Sequence, residues 1–416
     1  MSKLAELIKE LCPDGVEFVE LGQVCDFKNG FAFKSSKFKL NGLPVLRITN
    51  IDNGIIDISN CVYFSTKDYK EDLSSYVVQK DDIVVAMSGA TTGKIGINTT
   101  NEILYLNQRV GKFIPQEKVL NRFYLYHWLM SQSGNIMKAA LGSGAQPNLS
   151  TATMKKFRIP LPPLPVQCEI VRILDNFTAL TSALTSALTA ELTAQRKRYS
   201  GLLNSLLSYE GHSAQDGVLW KKLGDIAEIA RGGNLQKKDF VDSGFPCIHY
   251  GQIYTKYGVY ATETLTFVEE TVGANSKKAV TGDIIMAVTS ENIEDVCKSL
   301  AWLGDRDVAV SGHTAIIHHN QNPKYLSYYF LTEHFYKQKC RLVHGTKVME
   351  VTPSKLNDIL IPIPSLEEQQ RIVDILDRFD KLCNDLSEGL PAEIAARQKQ
   401  YEYYRDKLLT FKEKKA

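Results

Sequence analysis

Gly89-Ala-Thr-Thr-Gly93-Lys94 has the composition of a phosphate-cradling loop, in which glycine amides and a lysine grip a nucleotide. The spacing is one residue short for that loop. Ile95 also stands where a serine or threonine hydroxyl would meet Mg²⁺. The stretch is therefore read as a turn with a basic tip, suited to a backbone phosphate; a nucleotide-dependent enzyme built on Lys94 is the alternative. His313, His318 and His319 suggest metal ligation. However, 318 and 319 are neighbours in a β-type run, where adjacent side chains face opposite ways and cannot easily chelate. Gly-x-Ser-x-Gly, His-Glu-x-x-His and post-strand Gly-x-Gly-x-x-Gly patterns are missing. So is the (Asn/Asp)-Pro-Pro-aromatic tetrapeptide of adenine methyltransferases, since Pro162-Pro163 lies between Leu161 and Leu164. The expectation is a chain without catalytic residues, metal or cofactor of its own.

A second set of side chains fits a different chemistry. Polar, glycine-rich loops carry Lys28, Asn29, Lys34, Lys37, Arg47, Asn50, Lys94, Asn107, Gln108 and Arg109, followed by Gly142-Ser143-Gly-Ala-Gln146-Pro-Asn148-Leu-Ser150. Later in the chain come Arg231, Asn234, Lys237, Lys238, His249, Tyr250, Gln252, His313, His344 and Lys347. Arginine and lysine suit guanine edges or phosphates, and asparagine and glutamine suit adenine. Any one of these residues is more simply a solvated loop side chain; the weight lies in corresponding loops being polar twice.

Composition bounds the partner. The chain has 416 residues, 44% apolar and 23% charged, with a net charge of only +2, so positive charge must be concentrated locally if it meets nucleic acid. The length calls for at least two domains. Eight cysteines occur without a Cys-x-x-Cys pair, which fits reduced thiols better than a metal or disulfide framework. No apolar run approaches the roughly 20 residues of a membrane helix, and the start, Met-Ser-Lys-Leu-Ala-Glu, has no apolar signal region. A cytoplasmic protein without membrane contact is expected.

What positions the polar loops is an internal repeat with an offset of 202 residues. Asp14-Gly15-Val16 matches Asp216-Gly217-Val218, Leu21-Gly22 matches Leu223-Gly224, Gly30 matches Gly232 and Pro44 matches Pro246. Further on, Pro160, Leu164, Gln167, Ile170, Ile173-Leu-Asp175 and Phe177 match Pro362, Leu366, Gln369, Ile372, Ile375-Leu-Asp377 and Phe379. Two variable readers on two copies of a constant frame are implied. The boundaries read as 1–157 (first reader), 158–210 (first frame helix), 211–359 (second reader) and 360–416 (second frame helix).

In the frame, Pro160, Pro162, Pro163 and Pro165, and later Pro362 and Pro364, make stiff entries. Apolar residues then recur at helical spacing: Phe177, Leu180, Leu184, Leu188 and Leu192, and Phe379, Leu382, Leu386, Leu390 and Ile394. A narrow stripe on so long a helix needs a partner helix, and the second copy supplies it. An antiparallel pair is expected, with a parallel pair as second choice and Pro391 marking a kink or break. Thr181-Ser-Ala-Leu184, Thr185-Ser-Ala-Leu188 and Thr189-Ala-Glu-Leu192 are tandem four-residue units. They serve as a leucine seam or as a ruler, each unit adding about 6 Å, a little under two base pairs.

The readers are expected to be mixed α/β. Strand-like runs are Pro44–Ile51, Asp82–Met87, Ile103–Leu106, Pro246–Tyr250, Asp283–Val288 and Ala315–His318, and helices are Phe123–Met130 and Tyr325–Leu331. The fold class is thus α/β (mixed α+β): two recognition domains separated by two long antiparallel helices, as a pseudo-twofold internal repeat.

Gly144-Ala-Gln-Pro-Asn-Leu149, Ile159-Pro-Leu-Pro-Pro-Leu164 and Glu169-Ile-Val-Arg-Ile-Leu-Asp175 carry a resemblance, as do Ile361-Pro-Ile-Pro-Ser-Leu-Glu-Glu-Gln-Gln-Arg-Ile-Val373 and Arg397-Gln-Lys-Gln-Tyr-Glu-Tyr-Tyr-Arg405. Over nearly its whole length the sequence resembles the specificity subunit of type I restriction–modification enzymes. Gly345-Thr-Lys-Val-Met-Glu350 departs from the polar-loop pattern in the second copy. The resemblance implies that each variable region reads one half of a split site on double-stranded DNA. It implies that the helices set the gap and bind two methyltransferase subunits, which carry S-adenosylmethionine, and that motor–nuclease subunits complete the complex. The units at 181–192 look like the family's spacer-length device. A helical scaffold or modulator without direct sequence reading remains the alternative.

Overall fold

The computed structural model describes residues 3–141, 147–209, 218–385 and 388–414. The chain divides into two compact units. The first comprises Met1–Ser186 with Ala395–Ala416, and the second comprises Ala187–Ile394.

In the first unit the run Ile83-Val-Val-Ala86 is buried on both sides. Ile83 and Val85 pack into a core with Leu125, Trp128 and Leu129, while Val84 and Ala86 pack into another with Leu46, Leu104 and Leu106. Such a continuous apolar run marks a strand covered on both faces. It lies in a six-stranded sheet ordered Cys25–Asn29, Val110–Pro115, Ile83–Ala86, Ile95–Ile97, Gly54–Ile56, Ile51–Asp52. A four-stranded sheet is ordered Val62–Phe64, Leu43–Leu46, Leu104–Leu106, Val77–Val78. The expected strand over 44–51 stops at Leu46, because a 3₁₀ turn occupies Ile48–Asn50.

The second unit repeats this plan. Ile284 and Met286 pack with Tyr325 and Leu326, and Ile285 and Ala287 pack with Ile248 and Leu300. One five-stranded sheet is ordered Ala227–Arg231, Thr314–His319, Ile284–Ala287, Ser299–Trp302, Tyr260–Ala261. The other is ordered Phe240–Val241, Thr266–Val268, Phe245–Ile248, Val308–Val310, Lys278–Ala279.

After its sheets each reader has a short helix, Arg122–Ser131 or Pro323–Tyr329, followed by two more: Ser133–Leu141 and Thr151–Lys155 in the first, Glu333–Cys340 and Pro353–Leu356 in the second. Asn121 caps the first by accepting from Phe123 N and Tyr124 N, and Asn322 caps the second by accepting from Lys324 N and Tyr325 N. The proline-rich entries are strands before they are helices. Arg158–Leu161 pairs antiparallel with Glu17–Glu20, and Leu360–Ile363 pairs with Leu219–Lys222.

The first frame helix is continuous over Leu164–Ser208, 45 residues and about 67 Å long. The second is broken near Pro391, one of the two outcomes expected there: Leu366–Asn384 and Leu390–Leu408 are separate. The second segment starts beside Pro391, whose ring nitrogen has no proton for the i−4 carbonyl. At Gly389 a Cβ would lie 2.6 Å from Lys381 O and 2.7 Å from Asp385 O, so the break requires glycine there.

Within each unit the frame segments run antiparallel. In the first, the Phe177 ring stacks with Tyr401 at 6.3 Å and meets Tyr404 edge-on at 5.7 Å, while Ile170 and Leu174 share a core with Leu409. In the second, Arg196 donates to Cys383 O at 3.4 Å, Tyr199 Oη to Asp380 at 3.4 Å, and Leu203 and Leu207 pack with Ile372 and Leu376.

The expected leucine seam needs correction. Leu180 is 66% exposed, and Leu184 and Leu382 are also exposed. Phe177, Leu188, Leu192, Phe379, Leu390 and Ile394 are half-buried, and Leu386 lies outside the described residues. The partly covered stripe along the long helix is Thr181, Thr185, Leu188, Leu192, Gln195, Tyr199. Its 4-3-4-3-4 spacing stays on one face, whereas a strict four-residue spacing advances 400° per step and winds off it.

Candidate nucleic-acid interface

The antiparallel ladders bring three chain ends of the first reader to one edge. Gly111 pairs with Asn29, and Val110 pairs with Ala86. Backbone bonds then tie the loops beyond that edge to one another. Phe31 N donates to Leu106 O at 2.8 Å, Asn107 N to Leu46 O at 3.0 Å, Met87 N to Arg109 O at 2.8 Å and Leu149 N to Met87 O at 2.7 Å. Gly30 is required here: a Cβ would lie 2.0 Å from Asn107 O. Lys28, Asn29, Arg47, Gln108, Arg109 and Asn148 are thereby gathered on one loop cluster. Gln108, Arg109 and Asn148 are exposed, as is Lys34. The Lys28 ammonium lies 4.5 Å over the Tyr76 ring. Asn29 Oδ1 accepts from Thr151 Oγ1 at 3.0 Å. Ser143 and Gln146 lie outside the described residues.

The turn at 89–94 adjoins the same cluster, with Thr91 Oγ1 donating to Ile48 O and Thr92 Oγ1 to Pro147 O. Three of its six amides are occupied: Thr92 N donates to Gly89 O, Gly93 N to Ala86 O and Lys94 N to Thr91 O. Lys94 Nζ is 2.7 Å from Asp52 Oδ1, holding that carboxyl below its usual range. With the Gly93 and Lys94 amides turned to the chain's own carbonyls, the turn departs from a phosphate-cradling loop, and Lys94 is an exposed cation.

The second reader is closed by equivalent bonds. Gly233 N donates to Val310 O, Ser311 N to Ile248 O, Val288 N to His313 O and Val351 N to Val288 O. At Gly232 a Cβ would lie 2.2 Å from Ser311 O. The cluster gathers Arg231, Asn234, His249, His313 and the hairpin turn at His344–Glu350, on which Lys347 is exposed. Arg231 Nε donates to Gly312 O at 3.0 Å and Nη2 lies 2.7 Å from Glu350 Oε1. Rings line up beside it: Phe240 to His249 at 5.9 Å, His249 to Tyr250 at 4.5 Å and Tyr250 to His313 at 4.8 Å. Burial, then the Lys237 and His313 charges, hold the His249 pKa below the ordinary histidine value.

Two expected base readers serve the fold instead. Asn50 is 1% exposed; its Oδ1 accepts from Arg47 N at 3.0 Å and its Nδ2 donates to Asp57 O at 3.1 Å. Gln252 does the same after the 202-residue offset, accepting from His249 N at 2.9 Å and donating to Thr266 Oγ1 at 3.2 Å. Each braces the turn after a central strand, a repeat that residue type alone hid. Sequence reasoning missed Thr151, Tyr250 as a stacking ring, and Glu350; the last lies at the repeat position of Asn148, so the offset pointed to it. His318 and His319 do face opposite ways: His318 is exposed and bonds Asp283 at 2.6 Å, while His319 is partly buried. Among the described residues no group of three potential ligands is placed to hold a metal, and no helix is long and apolar enough to cross a membrane.

The family described as type I restriction modification DNA specificity domain matches residues 13–194 and 217–396. The chain is 35% identical over 297 residues to the Type I restriction enzyme EcoR124I/EcoR124II specificity subunit of Escherichia coli, covering 69% of this chain and 70% of that one. It is 31% identical over 359 residues to a putative type I restriction enzyme specificity subunit of Haemophilus influenzae, covering 85% and 88%. A solved chain from a study of complex assembly and conformational transition of the type I R-M system has a TM-score of 0.68 at 18% identity, covering 95% of this chain and 98% of that one. The HsdS subunit from Thermoanaerobacter tengcongensis has a TM-score of 0.53 at 18% identity, covering 96% and 97%. The chain belongs to the specificity subunits of type I restriction–modification systems, a non-catalytic family.

Proposed function

We propose that this subunit recognises a split site on double-stranded DNA, each reader taking one half and the frame helices setting the gap. The readers are residues 1–157 and 211–359, and the frame is 158–210 and 360–416. The observation that carries this reading is the duplicated loop cluster. Each unit gathers its polar loops at one sheet edge, and each reader is fixed to its frame helix by the same hydrogen bonds. In the first reader Arg109, Gln108, Lys94 and Lys28 supply the cations and amides, joined by Ser143, Gln146 and Asn148 of the polar loop. In the second, Arg231, Asn234, Lys237, His313, His344 and Lys347 do so. Local clusters of this kind offset a net charge of only +2. Two methyltransferase subunits bearing S-adenosylmethionine dock on the helices, and motor–nuclease subunits join the restriction complex.

Co-expression with the cognate methyltransferase subunit, followed by base-resolution mapping of methylated adenines on plasmid DNA, tests this. Methylation at one motif of two short half-sites with a fixed gap is expected. Methylation without a motif, from a complex that assembles normally, overturns the reading and leaves a scaffold role.

A further inference from the structure

The repeat offset places Arg231 at the position of Asn29 and Glu350 at the position of Asn148. The backbone confirms the equivalence. Asn29 is followed by Gly30 and Arg231 by Gly232, and in both a Cβ would strike the facing carbonyl, at 2.0 and 2.2 Å. Asn148 bridges Ser88 in the first unit, and Glu350 pairs with Thr289 in the second. The residues that follow, Leu149 and Val351, donate to Met87 O and Val288 O. The same two sites at the edge of the loop cluster therefore hold two amides in one reader and an arginine–carboxylate pair in the other.

That pair is fixed yet not closed. Arg231 is held by Gly312 O through Nε and by Glu350 Oε1 through Nη2. Among the described residues Nη1 and the second carboxylate oxygen have no partner. The Arg231 side chain is 50% exposed and that of Glu350 29%. An exposed ion pair contributes little to stability. Side by side, a guanidinium donor and a carboxylate acceptor match the two edges of one base pair: guanine offers acceptors O6 and N7, and cytosine offers the N4 amino donor.

We propose that Arg231 and Glu350 act together as a specificity-determining pair that reads one G·C pair in the half-site of the second reader. Asn29 and Asn148 take an A·T pair at the matching place in the first. This rests on the half-site reading above and adds the residues and the base pair. Arg231 donates to guanine while Glu350 orients it and accepts from the cytosine amino group.

The test uses the full chain co-expressed with its methyltransferase subunit, with the methylated motif mapped at base resolution. The double substitution Arg231→Asn with Glu350→Asn installs the first reader's pair. One G·C position of the second half-site is expected to become A·T or degenerate, with the first half-site and gap unchanged. Methylation of an unchanged motif overturns the proposal. If the double variant does not assemble, Glu350→Gln keeps the shape and removes the charge. It is expected to lower methylation of the wild-type site about tenfold relative to the site changed at that one pair, and an unchanged ratio overturns the proposal. A wild-type subunit without a split motif refutes the half-site reading itself. A split motif whose second half lacks a G·C pair refutes only this inference.

Discussion

Gln167 and Gln369 are fully buried and make three hydrogen bonds each, two of them the same in the two units. Gln167 Oε1 accepts from Asn121 N at 2.8 Å, and its Nε2 donates to Val119 O and Pro162 O. Gln369 Oε1 accepts from Asn322 N at 2.9 Å, and its Nε2 donates to Gln321 Oε1 and Pro364 O. Tyr124 and Tyr325 add a hydroxyl bond to Pro160 O and Pro362 O. Asp175 and Asp377 receive His127 and Tyr328. These bonds fix each reader to its frame helix, which explains why the repeat is closest in sequence from 160 onward.

Replacing either glutamine with leucine strands a buried amide and two acceptors. A loss of about 3 kcal/mol is expected, confined to the unit that carries the change. Hydrogen exchange on the intact subunit checks this: Gln167→Leu should loosen helix 122–131 and leave helix 323–329 protected.

Gly30→Ala and Gly232→Ala drive a Cβ into a backbone carbonyl that no rotamer can move. Each should cost about 2 kcal/mol or more and disturb the loop cluster of its own reader. Motif mapping should show one half-site relaxed and the other intact, with the affected half following the substituted glycine.

Arg109 is exposed at the first cluster, and the Lys94 ammonium pairs with an exposed aspartate, Asp52. Arg109→Ala is expected to weaken DNA binding by the assembled methyltransferase complex. If its contact is a phosphate, the slope of log affinity against log salt falls by about 1. Titration at several salt concentrations measures both. Asn50→Ala, in contrast, should lower stability with no change in that slope.

Burial pushes the His319 pKa down to about 4, against the opposing influence of the Asp283 charge, while Gln321 N donates to Nδ1. Below about pH 6.5 the unfolded chain takes up a proton that the folded chain refuses. Stability from this group is full above pH 6.5 and is lost as pH falls towards 4, by up to about 3 kcal/mol. Denaturation of the subunit at pH 7 and pH 5 should show a drop that His319→Gln lessens.

Much of this architecture was legible in the sequence. The offset of 202 residues announced the duplication, and β-type runs such as Asp82–Met87 and Asp283–Val288 coincide with strands Ile83–Ala86 and Ile284–Ala287. The apolar stripe called for a partner helix, and the repeat favoured the antiparallel over the parallel pairing. The stripe's exact residues did not follow, because leucines every four residues wind around a helix and only their crossing at Leu188 and Leu192 is covered. The break before Leu390 was half visible in Pro391, while the decisive close approach at Gly389 is a backbone matter. At the loop clusters, side-chain type did not separate loop residues that face outward from those that brace the fold. Asn50 and Gln252 look like adenine readers until their hydrogen bonds are traced, and Glu350 looks like an acidic misfit until Arg231 is found beside it.

In the proposed function, the length of the frame helices sets the gap between the half-sites. Deleting Thr181–Leu184 from the long helix and remapping methylated adenines tests it most directly. One four-residue unit is about 6 Å of helix, a little under two base pairs. An unchanged pair of half-sites is expected, with a gap shortened by one or two base pairs. Methylation of the original motif at its original gap, from a complex carrying the shortened helix, would contradict it.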